Sequence, residues 1–403
     1  MPSTRLSAVL IGALALLAPT LVAVAPPAAA DGPGSGTPWV VTLGDSYISG
    51  EAGRWAGSSN SSSARADALG STAYFDNATG TGETINRCHR SRAAEAYVGG
   101  GVNGLNLACS GAKAATHTTS EGYFKPGLDF YASGTNKGQA LMLQEFATTN
   151  NVRMVVVQVG GNDFGFASIV QQCVTDFLAS PSWWKDYCSD DSSVTANFTS
   201  ANVAAVRARV AAAFQNVRTA MRNAGYADTA WTMLVQTYPS PLPNGSAIRY
   251  SESGYTRQFT GGCGFWNRDA DWANSTALPT INGAVRGALT DSGVTNSRVL
   301  ELQGAFNGRR LCENTVGLYE EVGVADWRSA NAVDRTEWVN QIRTVSTIGP
   351  TYYVQESLHP NYWAQLAMRS CVRQAWNNGA PRGGTCTIAG TGLVNGEPRM
   401  TLG

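Results

Sequence analysis

The run Arg153-Met154-Val155-Val156-Val157-Gln158-Val159 constrains the fold more than any other feature. Successive side chains of a strand point to opposite faces. A strand wet on one face would therefore alternate polar with apolar residues. Here Met154, Val155, Val156, Val157 and Val159 make both faces apolar, which suits a parallel sheet covered on each side. Shorter apolar runs at 40–43, 105–108, 231–235 and 299–302 read as four more strands. Helical patterns fall at 139–148, 200–223, 278–289 and 362–376. In the longest, Val203, Val206, Val210, Phe214, Val217 and Met221 recur at helical steps before Ala224-Gly225. Pro279 must sit near the start of the third. Strands alternating with helices predict a doubly wound parallel sheet, with ligands beyond the carboxyl ends of its strands.

The amino terminus is read apart from this core. Arg5 is followed by an uncharged stretch at 6–24, then by Ala28-Ala29-Ala30 before Asp31. This pattern predicts a secretory signal peptide over residues 1–30. No later stretch reaches the roughly 20 apolar residues of a membrane span. The expectation is a secreted, extracellular domain over 31–403, ending in a tail from about 380 that Cys386 ties down. Long insertions interrupt the core. Residues 53–101 are polar and rich in Ser and Gly. Residues 173–194 carry Trp183, Trp184 and Tyr187, and residues 238–272 hold Phe265 and Trp266. Loops this long in a compact domain are usually functional or disordered.

Composition excludes several classes. At 43% hydrophobic residues the chain can bury a large core, so it is not a disordered protein. Its 29 basic residues balance 29 acidic ones, only four are Lys, and no basic run appears. Nucleic acid is therefore not an expected partner. The eight cysteines are Cys88, Cys109, Cys173, Cys188, Cys263, Cys312, Cys371 and Cys386. An even number behind a signal peptide points to disulfides. No C-x-x-C pair occurs, which argues against a zinc ribbon. Sequence alone does not choose the connectivity, and pairing of neighbours is the expectation.

Reactive residues cluster at predicted strand ends. The first strand runs into Gly44-Asp45-Ser46-Tyr47, where Ser46 is placed equally well as a nucleophile or as a helix cap. A nucleophilic Ser needs a base, and the chain has three His, at 89, 117 and 359. His359 lies before Pro360, which suits a first helical position, on the ligand face of the sheet. Glu356, three residues earlier, is placed to orient its ring by side chain or main-chain carbonyl. The strongest strand ends in Gly160-Gly161-Asn162-Asp163 and the second in Cys109-Ser110-Gly111-Ala112. Each alone is a glycine turn. Together the Asn162 amide and Gly111 N–H are candidate donors to an oxyanion. Asp45 and Asp163 read as braces for their turns. Asp190-Asp191 reads as a solvated turn rather than a cation site, because regularly spaced oxygen ligands are missing.

In this order the blocks resemble the SGNH-hydrolase superfamily, also called the GDSL lipase/esterase family, over about residues 39–378. Gly44-Asp45-Ser46-Tyr47 resembles the first block, Gly111 the second-block glycine, Gly160-x-Asn162-Asp163 the third and His359 the last. Segments such as Cys88-His89-Arg90-Ser91 and Gly161-Asn162-Asp163-Phe164 look like the secreted actinobacterial lipases, esterases and phospholipases. The resemblance implies a three-layer α/β/α, flavodoxin-like sheet of mostly five parallel strands. It implies Ser46 as nucleophile, His359 as base, and Ser46 N–H, Gly111 N–H and the Asn162 amide as oxyanion hole, with no cofactor. Those relatives pair their cysteines as neighbours, which implies 88–109, 173–188, 263–312 and 371–386. The family's last block is usually Asp-x-x-His, whereas this chain has Glu356-x-x-His359. Some relatives use a backbone carbonyl there.

The expected activity is hydrolysis of carboxylic esters of lipids, of lipase or phospholipase A or B type, by a monomer touching a lipid surface transiently. Trp183, Trp184, Phe265 and Trp266 are candidates for lining an acyl groove or meeting that surface; alternatively they cover the core. A carbohydrate acetyl esterase and a non-catalytic surface protein are the alternative readings.

Overall fold

A computed structural model describes residues 36–343 and 354–403. The expected signal peptide lies outside the described residues.

All five expected strands are present: β1 (Trp39–Gly44), β2 (Asn103–Asn106), β3 (Val152–Gln158), β4 (Thr232–Gln236) and β5 (Ser297–Glu301). They pair in parallel. The sheet nevertheless has seven strands rather than five, in the order β7-β6-β5-β4-β3-β1-β2. The two added strands come from the tail, β6 (Gly384–Val394) and β7 (Glu397–Leu402). β6 joins β5 in parallel through Gly384 and Thr385, then pairs antiparallel with β7. The hairpin turns at Asn395 (φ 52°) and Gly396 (φ 79°), a two-residue turn whose positive φ values Asn-Gly tolerates.

Alternate residues of the central strands feed two cores, which is why the β3 run is continuously apolar. Val155, Val157, Met233 and Val235 pack on one side beneath α2 (Gln139–Ala147), α4 (Ser200–Asn223) and α5 (Leu278–Ser292). Met154, Val156, Leu234 and Leu300 pack on the other beneath α6 (Tyr362–Trp376). The remaining helices named here are α1 (Ser46–Ser49) and α3 (Phe166–Ala179).

Two helix starts involve a Pro. α5 starts at Leu278 with Pro279 in its first turn, as expected, but a short helix over Asn267–Trp272 precedes it and a π-helical turn over Ala273–Ala277 joins the two. Such a turn shifts the hydrogen-bond ladder, so a Pro without N–H is accommodated inside a longer helical run. At the other site Asn361, not Pro360, starts the helix. Its side chain accepts from Trp363 N–H at 3.0 Å and Ala364 N–H at 3.4 Å, capping α6.

All four disulfides join sequence neighbours: Cys88–Cys109, Cys173–Cys188, Cys263–Cys312 and Cys371–Cys386. The last fastens β6 to α6 and so secures the tail. Among the described residues, no helix is long and apolar enough to cross a membrane.

Candidate active site

The carboxyl end of β1 turns sharply at Gly44, whose φ is 141°. A Cβ there would stand 1.9 Å from the Gln158 carbonyl oxygen, so only glycine fits. Asp45 is the cap of α1 and accepts from Tyr47 N–H at 3.2 Å. Capping by Asp45 makes Ser46 the first helical residue and leaves its hydroxyl for other work. Ser46 N–H, in the first turn, has no acceptor within the helix.

That hydroxyl meets His359. Ser46 Oγ lies 2.7 Å from His359 Nε2, and His359 Nδ1 lies 2.9 Å from the Ser357 carbonyl oxygen. A carbonyl only accepts, so Nδ1 carries the proton and Nε2 is the acceptor that faces Ser46 Oγ–H. Burial pushes the His359 pKa below its ordinary value despite the nearby Glu51 charge. The ring is therefore neutral and basic at neutral pH.

The loop bearing His359 is held from several sides. Leu358 takes a left-handed φ of 59°, a conformation that surrounding contacts must enforce. The Tyr47 hydroxyl donates to its carbonyl at 3.1 Å. Leu358 N–H and the His359 carbonyl both pair with Asn340, at 3.1 and 3.0 Å.

The structure does not place Glu356 on the His359 ring. Its carboxyl oxygens accept from Trp55 Nε1–H at 2.8 Å and the Tyr74 hydroxyl at 2.5 Å. Its main-chain oxygen accepts from the backbone N–H of His359 at 3.4 Å, not from the ring. The ring turns to Ser357 instead. The orienting group is a backbone carbonyl one residue further along, and nothing in a side-chain pattern marks such a group.

The two oxyanion candidates sit on adjoining loops. Gly111 turns the chain after β2 at φ 80°. Asn162 Nδ2 donates one hydrogen bond to the Ala112 carbonyl at 2.9 Å, which locks its amide beside the Gly111 segment. An Asn amide has two N–H donors, so the second remains for a ligand. Asp163 braces the same loop by accepting from Ala114 N–H at 2.9 Å. Asp45 shares its other oxygen with the Tyr238 hydroxyl, which in turn accepts from Gly161 N–H at 2.9 Å. This chain ties the nucleophile turn to the Asn162 turn. Burial raises the Asp45 pKa to about 7.

Ser46 and Asn162 open onto a narrow apolar cleft of about 830 Å³ including its mouth. Its wall is built by Phe166, Ile169 and Val170 of α3, Phe198, Trp272 and Ile281. Of the four aromatic candidates only Phe265 lines it. Trp266 is buried against Phe177, with ring centroids 4.7 Å apart. Trp183 and Trp184 stand 82% and 73% exposed. Sequence reading missed α3, although Phe166, Ile169, Val170 and Cys173 recur at helical steps directly after the Asn162 block.

The remaining candidates fall elsewhere. His117 lies on a short strand that pairs with Lys125 and Phe124. His89 is buried beside Glu51, 2.8 Å away. Asp190 pairs with Arg268 at 2.8 Å, and among the described residues no group of three or more His, Cys, Asp or Glu is arranged to hold a metal.

The sequence matches no protein-family model and no curated protein. Solved structures align with the chain at low similarity. One is an extracellular lipase from Streptomyces rimosus, at 19% identity and TM-score 0.43, covering 86% of this chain and 100% of the other. A second is phospholipase A1 from Streptomyces albidoflavus NA297, at 16% identity and TM-score 0.43 with the same coverage. A third is the carbohydrate acetylesterase Est24 from Sinorhizobium meliloti, at 12% identity and TM-score 0.26, covering 64% and 82%.

Proposed function

We propose that the chain is a secreted serine esterase that hydrolyses carboxylic esters of lipids through an acyl-enzyme on Ser46. The observation that carries this reading is the 2.7 Å contact of Ser46 Oγ with a His359 ring whose far nitrogen is held by a carbonyl. It sits at the mouth of an apolar cleft. His359 takes the Ser46 proton as Oγ attacks the ester carbonyl. Ser46 N–H, Gly111 N–H and the Asn162 amide receive the oxyanion, and His359 returns the proton to the leaving alcohol. Water then attacks the acyl-enzyme by the same route and releases the acid.

The cleft favours a lipid acyl chain over a sugar-borne acetyl group. Phe166, Ile169, Val170 and Ile281 offer a continuous hydrocarbon wall, and each buried methylene of a substrate contributes about 0.8 kcal/mol. Four disulfides agree with an oxidising compartment and so support secretion.

The test is hydrolysis of short and long p-nitrophenyl esters, phosphatidylcholine vesicles and acetylated xylan, with Ser46→Ala alongside. Activity on long esters or phospholipid, lost in Ser46→Ala, is the expected result. Activity confined to acetyl esters and xylan would replace lipid with carbohydrate. No activity on any ester would refute the enzyme reading.

A further inference from the structure

Near the Ser46–His359 pair lies an imidazole–carboxylate pair that the mechanism above does not use. Glu51 is fully buried, and its Oε1 lies 2.8 Å from His89 Nδ1. Its backbone N–H donates to the Ser46 carbonyl at 3.2 Å, so it follows α1 directly. Its other oxygen accepts from Gln355 Nε2 at 2.8 Å, and Gln355 also donates to Ser110 Oγ at 2.8 Å. The Ser110 hydroxyl in turn hydrogen-bonds Glu51. Glu51 thus touches the segment carrying Ser46 through its backbone N–H, and the segments carrying Gly111 and leading to His359 through its carboxylate.

Other ionisable groups face this cluster. Glu83 lies 3.6 Å from His89 Nε2, and the Tyr74 ring stacks on His89 with centroids 4.3 Å apart. Lys125 and Glu356 act on it through space, and Arg54 faces Glu356. Burial opposes the Glu51 charge, but His89, with His359 and Ser110, outweighs it and holds Glu51 down at about 2. His89 is itself raised: burial lowers it, and Glu51, with Glu83 and Glu356, more than compensates. Each partner thus favours the charged form of the other. At His359, Glu51 favours the protonated ring more than His89 disfavours it.

We propose that Glu51 is a positioning residue for the reaction and supplies the fixed negative charge that stabilises the His359 imidazolium. The inference rests on Ser46 and His359 being the nucleophile and base. It assigns to Glu51 the electrostatic part that a triad carboxylate plays by direct contact. The Ser357 carbonyl keeps the orienting part. His89 moderates the Glu51 charge and keeps it ionised in a buried place.

The experiment compares wild type, Glu51→Gln and His89→Asn on a p-nitrophenyl ester across pH, with folding checked by circular dichroism. Glu51→Gln keeps the shape and loses the charge. Its kcat should fall on the order of tenfold, the scale of one partly screened charge beyond hydrogen-bond range, with KM nearly unchanged. The acid limb of kcat/KM should move to lower pH. His89→Asn keeps an N–H for Glu51 but takes away the cation that keeps it ionised, so its acid limb should also move to lower pH. A limb that moves in both variants while KM stays nearly unchanged is not what simple loosening of the loops would give. A folded Glu51→Gln enzyme with wild-type kcat and pH profile would overturn the proposal, as would limbs that shift in opposite directions. If Glu51→Gln does not fold, an unmoved limb in His89→Asn overturns it alone. Wild type inactive on every ester would count against the esterase reading, not against Glu51.

Discussion

Replacing Glu356 separates a folding role from a catalytic one. Its two oxygens receive the Trp55 indole N–H at 2.8 Å and the Tyr74 hydroxyl at 2.5 Å, and the residue is only 1% exposed. Leaving a buried donor without its acceptor costs about 1–3 kcal/mol. Glu356→Ala removes the acceptor of both donors, so it should lower folding stability by about 2–6 kcal/mol. Glu356→Gln retains one acceptor oxygen and should lose about half as much. The total stability of a domain is about 5–15 kcal/mol, so both shifts are readily measured. The assay is urea denaturation followed by Trp fluorescence, with kcat and KM taken on the folded enzyme. The expected outcome is a lower midpoint with kcat and the pH profile within a few-fold of wild type, because His359 Nδ1 is served by Ser357. A Gln variant as stable as wild type, but with kcat down by roughly the 10⁴-fold that follows loss of a triad carboxylate, would refute this assignment.

Four further outcomes follow from the site. Asn162→Ala removes one oxyanion donor and should lower kcat by roughly 10²–10³ with little change in KM, read by steady-state kinetics. The base must be neutral, and burial lowers the His359 pKa; the acid limb of kcat/KM should therefore lie below the usual His value of about 6.5. By the same sign, neutral His359 favours the folded state, so its contribution to stability should be lost as pH falls below that value. Val170→Trp fills the α3 wall of the cleft and should reduce kcat/KM for long acyl esters while sparing acetyl esters, read from a chain-length series.

Strong local signals were legible and tertiary ones were not. The valine run of β3 reported its own burial, because a strand between two helical layers has no wet face to encode. Ser46, Gly111 and Asn162 were marked by glycine turns at strand ends and His359 by the Pro360 and helix that follow it, which are local features. The tail was a different case. Asn395-Gly396 is a hairpin signal in the sequence, yet β6 is a sheet member only because Gly384 and Thr385 find β5, a pairing that its own residues do not encode. Pro279 marked the start of α5, but the helical segment upstream was not legible, because a π turn joins it to α5 without a break. Trp183 and Trp184 show the limit of composition: aromatic character predicts contact, but their loop, tied at Cys173–Cys188, holds them in solvent.

The substitution of a carbonyl for a carboxylate shapes the rest of the site. The Ser357 oxygen fixes the His359 tautomer but carries only a partial charge, so it stabilises the imidazolium less than an ionised partner would. Burial lowers the proton affinity of the ring further. A base of this kind is neutral and ready at neutral pH, yet it takes the Ser46 proton with less driving force. In the proposed mechanism the deficit is met by groups that act as charge develops: the oxyanion donors and the Glu51 charge. The carbonyl itself cannot be removed by side-chain substitution. Its aim depends on the left-handed Leu358, which Tyr47 holds through its hydroxyl. Tyr47 is the residue next to the nucleophile. The short helix that presents Ser46 therefore also fixes the group that orients its base, and the two halves of the catalytic pair share one support.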